Sequence, residues 1–491
     1  MFGKTTLKVR NKNGQIVLLI LSLLLLTITG AFNVHLCKTQ PAQITVPDQY
    51  PTIQEAINTA TPGDTIFVRS GLYCEHVTVN KTVQLVGEDP ATTIIDGNMT
   101  GTVVKVASSK VNITGFTIEQ SGSLYAQDAG VWIDHANYCN IFGNNLVANN
   151  FFGVSLWYSS YNTIIGNNVT ETADYAIAIT QGSNNMISRN NIENSGGGVD
   201  INLFSCYNTV SGNNITRNRN DGVCLRINSS NSTVTSNNIH WNGGDGIGVY
   251  GDSNKIFGNR VENSGIVGIW LYGISNYVFK NYVAESKYDG IVVDGSRNNN
   301  IFENNIKTNG HGIWLHGLSN SVIGNNLTGN CGFGLWLSNS LNNILGNSIQ
   351  NNGYGLWVSN ASNNTLYHNS ILNNTVQIYI VNSANFWNNS FKEGNYWSDY
   401  SDVDSDLDGI GDTPYFIDAS NEDNYPLMSS YVAGDCNHDG EVNMMDAETV
   451  RNAWMFTEGE LNYNPHVDFN MDRIINIADA TIIGVNWLQH A

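Results

Sequence analysis

Two segments near the C-terminus carry oxygen-bearing residues at the spacing of a calcium-binding loop. "DCNHDGEVNMMD" and, 33 residues later, "DFNMDRIINIAD" place such groups at loop positions 1, 3, 5, 7, 9 and 12. Calcium takes about six to eight oxygen ligands, and a loop with this spacing supplies them. The predicted ligands are Asp435, Asn437, Asp439, Glu441 through its carbonyl, Asn443 and Asp446, then Asp468, Asn470, Asp472, Ile474 through its carbonyl, Asn476 and Asp479.

A third acidic segment, "DVDSDLDGIGDTPY", lies upstream of these loops. Its carboxylates stand at loop positions 1, 3, 5 and 9, and Gly409 follows the third of them, where a tight turn is needed. We predict that a calcium ion binds Asp404, Asp406, Asp408 and Asp412. The alternative is a solvated acidic linker that binds no ion.

Carboxylates also precede a recurring Gly in successive copies of a short phrase in the middle of the chain. Asp221 and Asp245 hold this position in two neighbouring copies, and Asp289 and His311 hold it in two others. Copies stacked as β-strands would lie about 5 Å apart, which is the carboxylate separation of a retaining glycosidase. We predict that these four residues perform acid–base catalysis on a glycan. The alternative is an ordinary Asp-Gly turn.

Aromatic residues recur at one outward position of the same phrase. Sugar rings pack their apolar faces against aromatic rings, so a linear array suits a polysaccharide. The predicted sugar-binding residues are Trp132, Trp270, Trp314, Trp336 and Trp357. Trp314, Trp336 and Trp357 fall in consecutive copies, so an alternative for them is a ladder of stacked rings that stabilises the fold.

The repeat itself predicts the element that positions these side chains. An Asn recurs every 20 to 24 residues, directly after a position that is often Gly. Between these Asn residues, short stretches of alternating apolar and polar residues are separated by Asn, Gly and Ser. Such short strands can pair only with the equivalent strand of the next copy, as in a parallel β-helix, with the Asn side chains stacked as amide ladders. The ladder positions are Asn144, Asn167, Asn190, Asn213, Asn237, Asn259, Asn281, Asn304, Asn325, Asn347, Asn369 and Asn389.

The segment from Val46 to Gly97 resembles the opening of the pectin-lyase-like superfamily of right-handed parallel β-helices. The resemblance lies in the phrases Thr52-Ile-Gln-Glu-Ala-Ile57, Pro62-Gly-Asp-Thr-Ile66, Gly71-x-Tyr73 and Gly87. The composition of Thr52 to Thr59 predicts a short helix that caps the core. The later copies resemble the NosD-like, carbohydrate-binding and sugar-hydrolase group of that superfamily.

Two further resemblances bear on chemistry. The Gly310-His311-Gly312 phrase is similar to that of polygalacturonases, but their adjacent aspartates and Arg-x-Lys phrase are absent here. NosD relatives imply copper handling, which needs clustered His, Met or Cys. His311 and His316 alone do not form such a cluster.

The duplicated calcium pattern, with a helix expected after each loop at Ala447–Trp454 and Ala480–Trp487, resembles a dockerin. A dockerin binds a cohesin on another protein, and the resemblance implies that the residues at loop positions 10 and 11 recognise this partner. Here these positions are Met444, Met445, Ile477 and Ala478, whose apolar character predicts a hydrophobic docking face. The alternative is that these side chains pack inside the module.

The net charge and the N-terminal segment indicate which partners the protein has and where it is located. The chain has 22 Lys plus Arg against 42 Asp plus Glu, which disfavours nucleic acid as a partner because phosphates need cations. A basic flank followed by the apolar run from Ile16 to Phe32 predicts export, through a cleaved signal peptide or an uncleaved anchor that tethers the protein to the membrane. We expect extracellular or cell-surface localisation.

We therefore predict an all-β protein in four parts. These are a signal or anchor (1–40), a right-handed parallel β-helix (41–391, with its cap at 44–97 and regular coils at about 112–391), an acidic closing segment (392–430) and a small α-helical dockerin with two calcium loops (432–491). The predicted function is that of a carbohydrate-directed protein docked on a cohesin. As an enzyme, it would be a polysaccharide hydrolase or lyase. The alternatives are a non-catalytic adhesin or envelope component and a copper-handling protein.

Overall fold

The computed structural model describes residues 41–124, 128–437, 440–457, 459–462, 464, 467–468 and 474–489. The predicted signal or anchor lies outside these residues. No helix in the described ranges is long and apolar enough to cross a membrane. The elements below all belong to the unit Gln43–Ala491.

Three long parallel sheets dominate the chain, and each coil adds one strand to each sheet. Sheet 1 consists of Gln43–Val46, Thr65–Val68, Gln84–Gly87, Asn112–Thr114, Asn140–Phe142, Thr163–Ile165, Met186–Ser188, Thr209–Ser211, Thr233–Thr235, Lys255–Phe257, Tyr277–Phe279, Asn300–Phe302, Ser321–Ile323, Asn343–Leu345 and Thr365–Tyr367. Sheet 2 consists of Gly71–Tyr73, Thr93–Asp96, Thr117–Glu119, Asn145–Val147, Asn168–Thr170, Asn191–Glu193, Asn214–Thr216, Asn238–His240, Arg260–Glu262, Tyr282–Ala284, Asn305–Lys307, Asn326–Thr328, Ser348–Gln350, Ser370–Leu372 and Tyr396–Trp397.

Sheet 3 has the longest strands and carries the candidate site. It consists of Val77–Val79, Val104–Val106, Ala129–Asp134, Phe152–Trp157, Tyr175–Thr180, Gly197–Asn202, Val223–Leu225, Ile247–Val249, Ile269–Leu271, Asp289–Arg297, His311–Leu318, Phe333–Leu337, Tyr354–Ser359 and Val376–Val381. This arrangement confirms the predicted right-handed parallel β-helix.

The core is built from stacked apolar columns. From Asn112 to Leu372, the three-residue strands of sheets 1 and 2 bury their middle residue, because side chains alternate across a strand. In sheet 3, Ile313 pairs with Leu335 and Leu315 pairs with Leu337, and all four are fully buried. In-register stacking thus turns one repeat into a continuous core.

The predicted Asn ladder runs through the interior from Asn144 to Asn369. In a typical rung, Asn237 Nδ2 donates to Val210 O at 2.9 Å and to Asn259 Oδ1 at 3.0 Å. The last predicted position, Asn389, is wrong. Asn369 donates instead to Asn395, because Asn389 begins a turn and its Oδ1 accepts the backbone N–H of Glu393.

Both ends of the β-helix are covered. Helix α1 (Ile53–Thr59) begins at Thr52, whose hydroxyl accepts the N–H of Glu55, and it buries Ile53 and Ile57 over the first coil, as predicted. At the other end, Trp387 and Trp397 pack with a small antiparallel sheet, Tyr415–Asp418 with Asn421–Asp423. Part of the predicted acidic segment therefore closes the core.

The C-terminal module contains two helices, α2 (Met444–Asn452) and α3 (Ile477–Val485). Both begin three residues earlier and end two residues earlier than predicted. The cause is a capping box, in which Asn443 or Asn476 caps the helix and Asp446 or Asp479 bonds back to the cap N–H. A small apolar core lies beneath the helices and includes Val442, Val450, Val467, Ile475 and Ile483.

Candidate functional site

The outer face of sheet 3 presents its side chains in columns that follow the stacking of the coils. The five tryptophans predicted at the outward position lie in one such column, in which each residue pairs with the equivalent residue of the next coil. Its members are Trp132, Ser155, Ala178, Asp200, Cys224, Gly248, Trp270, Val292, Trp314, Trp336, Trp357 and Tyr379.

The column of side chains is interrupted at Gly248, which is buried. The next residue in the column is Trp270 and the previous one is the buried Cys224. A Cβ on Gly248 would lie 3.1 Å from the ring of Tyr250, so the tyrosine leans over the glycine. Gly248 therefore presents no side chain of its own to Trp270 in the next coil, and the Tyr250 ring takes up that space. Asp245 lies three residues before Gly248 in the same coil.

Asp221 and Asp245 lie in adjacent coils near this part of the column. The backbone N–H of Asp245 donates to Asp221 Oδ1 at 2.9 Å, and the N–H of Val267 donates to Asp245 Oδ1 at 3.2 Å. Burial, and then the charge of Asp221, raise the pKa of Asp245 to about 7. Burial also raises the pKa of Asp221. The pair can therefore hold one proton and one negative charge near neutral pH.

Three residues that the sequence did not assign to the site complete this cluster. Arg226 Nε donates to Asp200 Oδ1 at 2.6 Å, and its guanidinium lies 5.6 Å from the ring centre of Tyr175. The Tyr175 hydroxyl bonds to Asp221, and Gly197 makes room for the ring because a Cβ there would lie 2.4 Å from it. Asp200 could have indicated this cluster from the sequence, because it is a carboxylate in a column that is otherwise largely uncharged.

Asp289 and His311 form the second predicted group. They pair directly across neighbouring strands of sheet 3. Burial raises the pKa of Asp289 to about 6 and lowers the pKa of His311. His311 stacks on Phe333 at 3.8 Å, and its Nδ1 accepts the Phe333 N–H at 3.4 Å, which favours a neutral ring with the proton on Nε2.

Trp132 and Trp270 are each isolated from other tryptophans in the column. Lys105 Nζ lies 4.3 Å from the Trp132 ring centre, so a cation covers one face of that ring. Trp270 lies between Gly248 and Val292 and so has no large aromatic neighbour in the column. The indole N–H of each is buried and has no hydrogen-bond partner.

Trp314 and Trp336 form the stacked arrangement that was the alternative, whereas Trp357 makes tilted or edge contacts with Phe333, Tyr354 and Tyr379. The rings of Trp314 and Trp336 are 5.1 Å apart and nearly parallel. Their indole N–H groups donate to serines of the following coil, Ser338 and Ser359. Trp314 and Trp336 therefore each cover one face of the other ring.

Asp404, Asp406 and Asp408 converge in the first acidic loop. Their carboxylate oxygens all lie within 4.8 Å of one another, and Gly409 has a φ of +81°. The charge of Asp408 is the main cause that raises the pKa of Asp406. Asp412 accepts the N–H of Ser405 and lies on the same loop. A hard cation fits this all-oxygen set.

The two C-terminal loops place carboxylates in the interior of the module. Asp435, Asp446, Asp468 and Asp479 are all buried. The N–H of Gly440 donates to Asp435 Oδ2 at 2.9 Å, as expected for a ligand at position 1 that also closes the loop. Asn443 and Asn476 direct their side-chain oxygens at the helix N–H groups of Met445 and Ala478. Asp439, Asn470 and Asp472 lie outside the described residues.

The four residues predicted to recognise the partner are all on the surface. Because both helices begin at position 10 of their loops, Met444, Met445, Ile477 and Ala478 form their first turns. Met444 is 67% exposed and Ile477 is 70% exposed. Between the helices lies a separate cleft of about 210 Å³, lined by Ala447, Val450, Arg451, Trp454, Ala480 and Ile483.

Three family models match successive parts of the chain. Residues 101–256 match the right-handed β-helix region, and residues 268–402 match the periplasmic copper-binding protein NosD. Residues 433–485 match the dockerin type I domain. The C-terminal module is a dockerin type I match, as its duplicated loops predicted. No curated protein matches the chain.

Solved structures similar to this chain are also β-helical proteins. The A-module of mannuronan C-5 epimerase AlgE6 from Azotobacter vinelandii is 17% identical, covers 68% of this chain and 94% of its own, and has a TM-score of 0.44. A mannuronic acid specific family 6 lyase from human gut microbiota is 13% identical over 62% and 86%, with a TM-score of 0.47. DFA-IIIase from Arthrobacter chlorophenolicus A6 is 13% identical over 58% and 94%, with 0.45. At these identities the likeness concerns the fold alone.

The NosD match raises the question of copper. Copper binds clustered nitrogen and sulfur donors. Within the described residues, the group of three metal-binding side chains is Asp404, Asp406 and Asp408, which offers only carboxylate oxygen. His311 and His316 lie on one strand, five residues and so about 16 Å apart. This donor set does not fit copper.

Proposed function

We propose that the β-helix binds a polysaccharide along the outer face of sheet 3 and hydrolyses it at Asp221 and Asp245. The observation that carries this proposal is a pair of carboxylates, largely removed from solvent, in adjacent coils near the ring of Trp270. An aromatic surface beside two carboxylates of unequal proton affinity is the arrangement that glycoside hydrolysis needs.

Asp245 is the general acid in this mechanism. Its raised pKa keeps a proton available near neutral pH, and it donates that proton to the glycosidic oxygen as the bond to the sugar breaks. Asp221 is assigned the ionised role: burial raises its pKa, but the backbone N–H of Asp245 and the charge of Arg226 oppose that rise. Adjacent coils are about 5 Å apart, so Asp221 attacks the sugar carbon and forms an ester as the leaving sugar takes the proton from Asp245. Water, which gives a proton back to Asp245, then displaces the Asp221 carboxylate from the sugar.

The test is release of reducing ends from a panel of neutral and acidic polysaccharides. Asp245→Asn and Asp221→Asn should each lower turnover at least about 100-fold, because each removes an acid–base group but keeps the oxygen that accepts a backbone N–H. Activity of the unaltered protein should fall as pH rises through about 7, since the protonated form of Asp245 is the active one. Glu171→Gln, which alters an exposed carboxylate in a turn, is the matched control.

A non-catalytic adhesin is the second candidate. It is favoured by the same hydrogen bonds, since Asp221 and Asp245 each accept the backbone N–H of the following coil as a structural turn residue would. Binding of a glycan with no turnover in any variant would select the adhesin. Unchanged turnover in Asp245→Asn would remove the assigned acid.

We propose further that the dockerin module attaches the β-helix to a cohesin-bearing protein outside the cell. The support is the exposed apolar first turns of α2 and α3. In a pull-down with a panel of cohesins in calcium, Met444→Glu and Ile477→Glu should each abolish capture. Leu461→Glu places the same charge on an apolar residue that is 99% exposed outside the helices, and it should have no effect. Equal capture of all three variants would contradict this docking face.

The two predicted calcium sites of this module fit the same proposal. Buried carboxylates at positions 1 and 12 of each loop would repel each other without a cation. Calcium would be held by those carboxylates and by the backbone carbonyls of Glu441 and Ile474, and it would bring the loops into the shape that begins each helix. Calcium at the Asp404 loop would stabilise the segment that closes the β-helix.

A further inference from the structure

We infer that the polysaccharide accepted at the Asp221–Asp245 site is uncharged or amine-bearing, and that polyuronates are excluded. This inference rests on the proposed function and names the substrate class of that same site. It is carried by the charges that line the cleft, defined here as the three outward columns of sheet 3 from the coil of Tyr175 to the coil of His311.

The cleft contains five carboxylates and one arginine. The column at the beginning of the strands holds Asp221, Asp245 and Asp289, the middle column holds Asp200, and the column at the end of the strands holds Asp294 and Arg226. His311 adds no compensating charge near neutral pH, because burial lowers its pKa.

Arg226 is already neutralised by the protein. Its Nε lies 2.6 Å from Asp200 Oδ1, and Asp200 is 4% exposed. A uronate that took this guanidinium would leave the buried carboxylate of Asp200 without its counter-charge, which is costly. The pair is thus electrically balanced before a ligand arrives.

Cations at the margins of the cleft are also engaged. Arg219 donates to the carbonyl of Ala173 at 2.6 Å, and Lys287 lies over the ring of Tyr288. Lys105 is paired with Asp134 at 2.9 Å and lies five coils before Asp221, about 24 Å away. A charged sugar bound near Trp270 would therefore meet carboxylates and no unpaired cation among the residues of the cleft.

A polyuronate brings one negative charge per sugar into this surface. Carboxylates of the protein and of the polyuronate would lie side by side and repel each other, which disfavours binding of the polyuronate. Hydroxyl groups of a neutral sugar instead donate hydrogen bonds to the carboxylates, and an amine forms charge-assisted ones. The apolar face of either sugar still packs on Trp270.

The test is affinity electrophoresis of the full-length protein through gels that contain single polysaccharides. The probes are polygalacturonate, its carboxyl-reduced neutral derivative, alginate, a neutral mannan and chitosan, each with calcium and with a chelator. We expect the neutral or amine-bearing glycan that is retained best to be held at least about tenfold more tightly than either polyuronate.

Charge removal inside the cleft provides the second arm. Asp221→Asn should raise retention by the polyuronates relative to the neutral probe, and Asp245→Asn should do so above about pH 7, where Asp245 loses its proton. The control Glu171→Gln should leave the ratio unchanged. Strongest retention by polygalacturonate or alginate, with or without calcium, overturns this inference and leaves the proposed function standing. Retention by none of the probes overturns the proposed function and this inference together.

Discussion

Single aromatic residues on sheet 3 differ according to the residue one coil away. Trp270 follows Gly248 and precedes Val292 in the outward column, so no ring stacks on it from either neighbouring coil. Trp336 stacks on Trp314 and meets Phe333 edge to face. One residue type therefore has two environments in the same column: an unstacked ring at position 270 and a rung of a ring stack at position 336.

Replacing each tryptophan by alanine should separate these roles. Trp270→Ala should weaken glycan retention about tenfold and change the melting temperature little, because no other ring stacks on Trp270. Trp336→Ala should lower the free energy of unfolding by about 2 kcal/mol, through two lost ring contacts and the hydrogen bond to Ser359, with retention intact. Affinity electrophoresis and thermal unfolding measure the two effects. Equal effects of both variants on both measurements would contradict the division.

At the scale of the elements, the interior amide ladder holds neighbouring coils in register. Asn237 is 1% exposed and its side chain bonds to the coils on both sides, while the adjacent Asn238 is exposed and bonds only to Asn214 on the surface. The two residues have the same type and lie one position apart. They differ only in which side of the coil they face.

This difference makes Asn237 and Asn238 a matched pair for mutation. Asn237→Ala leaves buried partners such as the carbonyl of Val210 unsatisfied and should lower the free energy of unfolding by about 3 kcal/mol. Asn238→Ala should change it by less than about 0.5 kcal/mol. Urea unfolding followed by circular dichroism measures both values. Similar losses from the two variants would show that the interior ladder has no special role.

At the scale of the whole molecule, three acidic loops follow a fold that is otherwise held by apolar and amide columns. The C-terminal module, which contains the last two of these loops, has a small core of six buried residues in the described part of the chain, so bound calcium should contribute strongly to its stability. In the first dockerin loop, Gly440 adopts a φ of +86°, and the sequence places Arg473 at the equivalent position of the second loop. Glycine takes this conformation without steric cost, and arginine does not.

Calcium binding should therefore be stronger at the first dockerin loop. In calorimetry of the full chain carrying Asp404→Ala, which removes the upstream loop, Asp435→Ala should abolish the tighter calcium event and Asp468→Ala the weaker one. Helical circular dichroism should fall when a chelator is added and return with calcium. Two events of unchanged affinity in Asp435→Ala would remove the assignment of that loop.

The sequence alone determined whatever depends on the period of the repeat. Because parallel coils stack in register, one spacing of about 22 residues placed Trp132 through Tyr379 in one column and Asp221 beside Asp245. Local patterns also determined the cap helix at Thr52 and the duplicated loops that match a dockerin. The end of the amide ladder at Asn395 departed from the period, since the chain turns at Asn389 before the last strand.

Only the tertiary structure decided how side chains reach across coils. Tyr175 extends over Gly197 to Asp221, and Arg226 turns back to Asp200, and neither contact follows from register. Burial then raised the pKa of Asp245 above that of an ordinary carboxyl group. These properties depend on side-chain direction and on the exclusion of water by neighbouring coils. A linear pattern of residues contains neither.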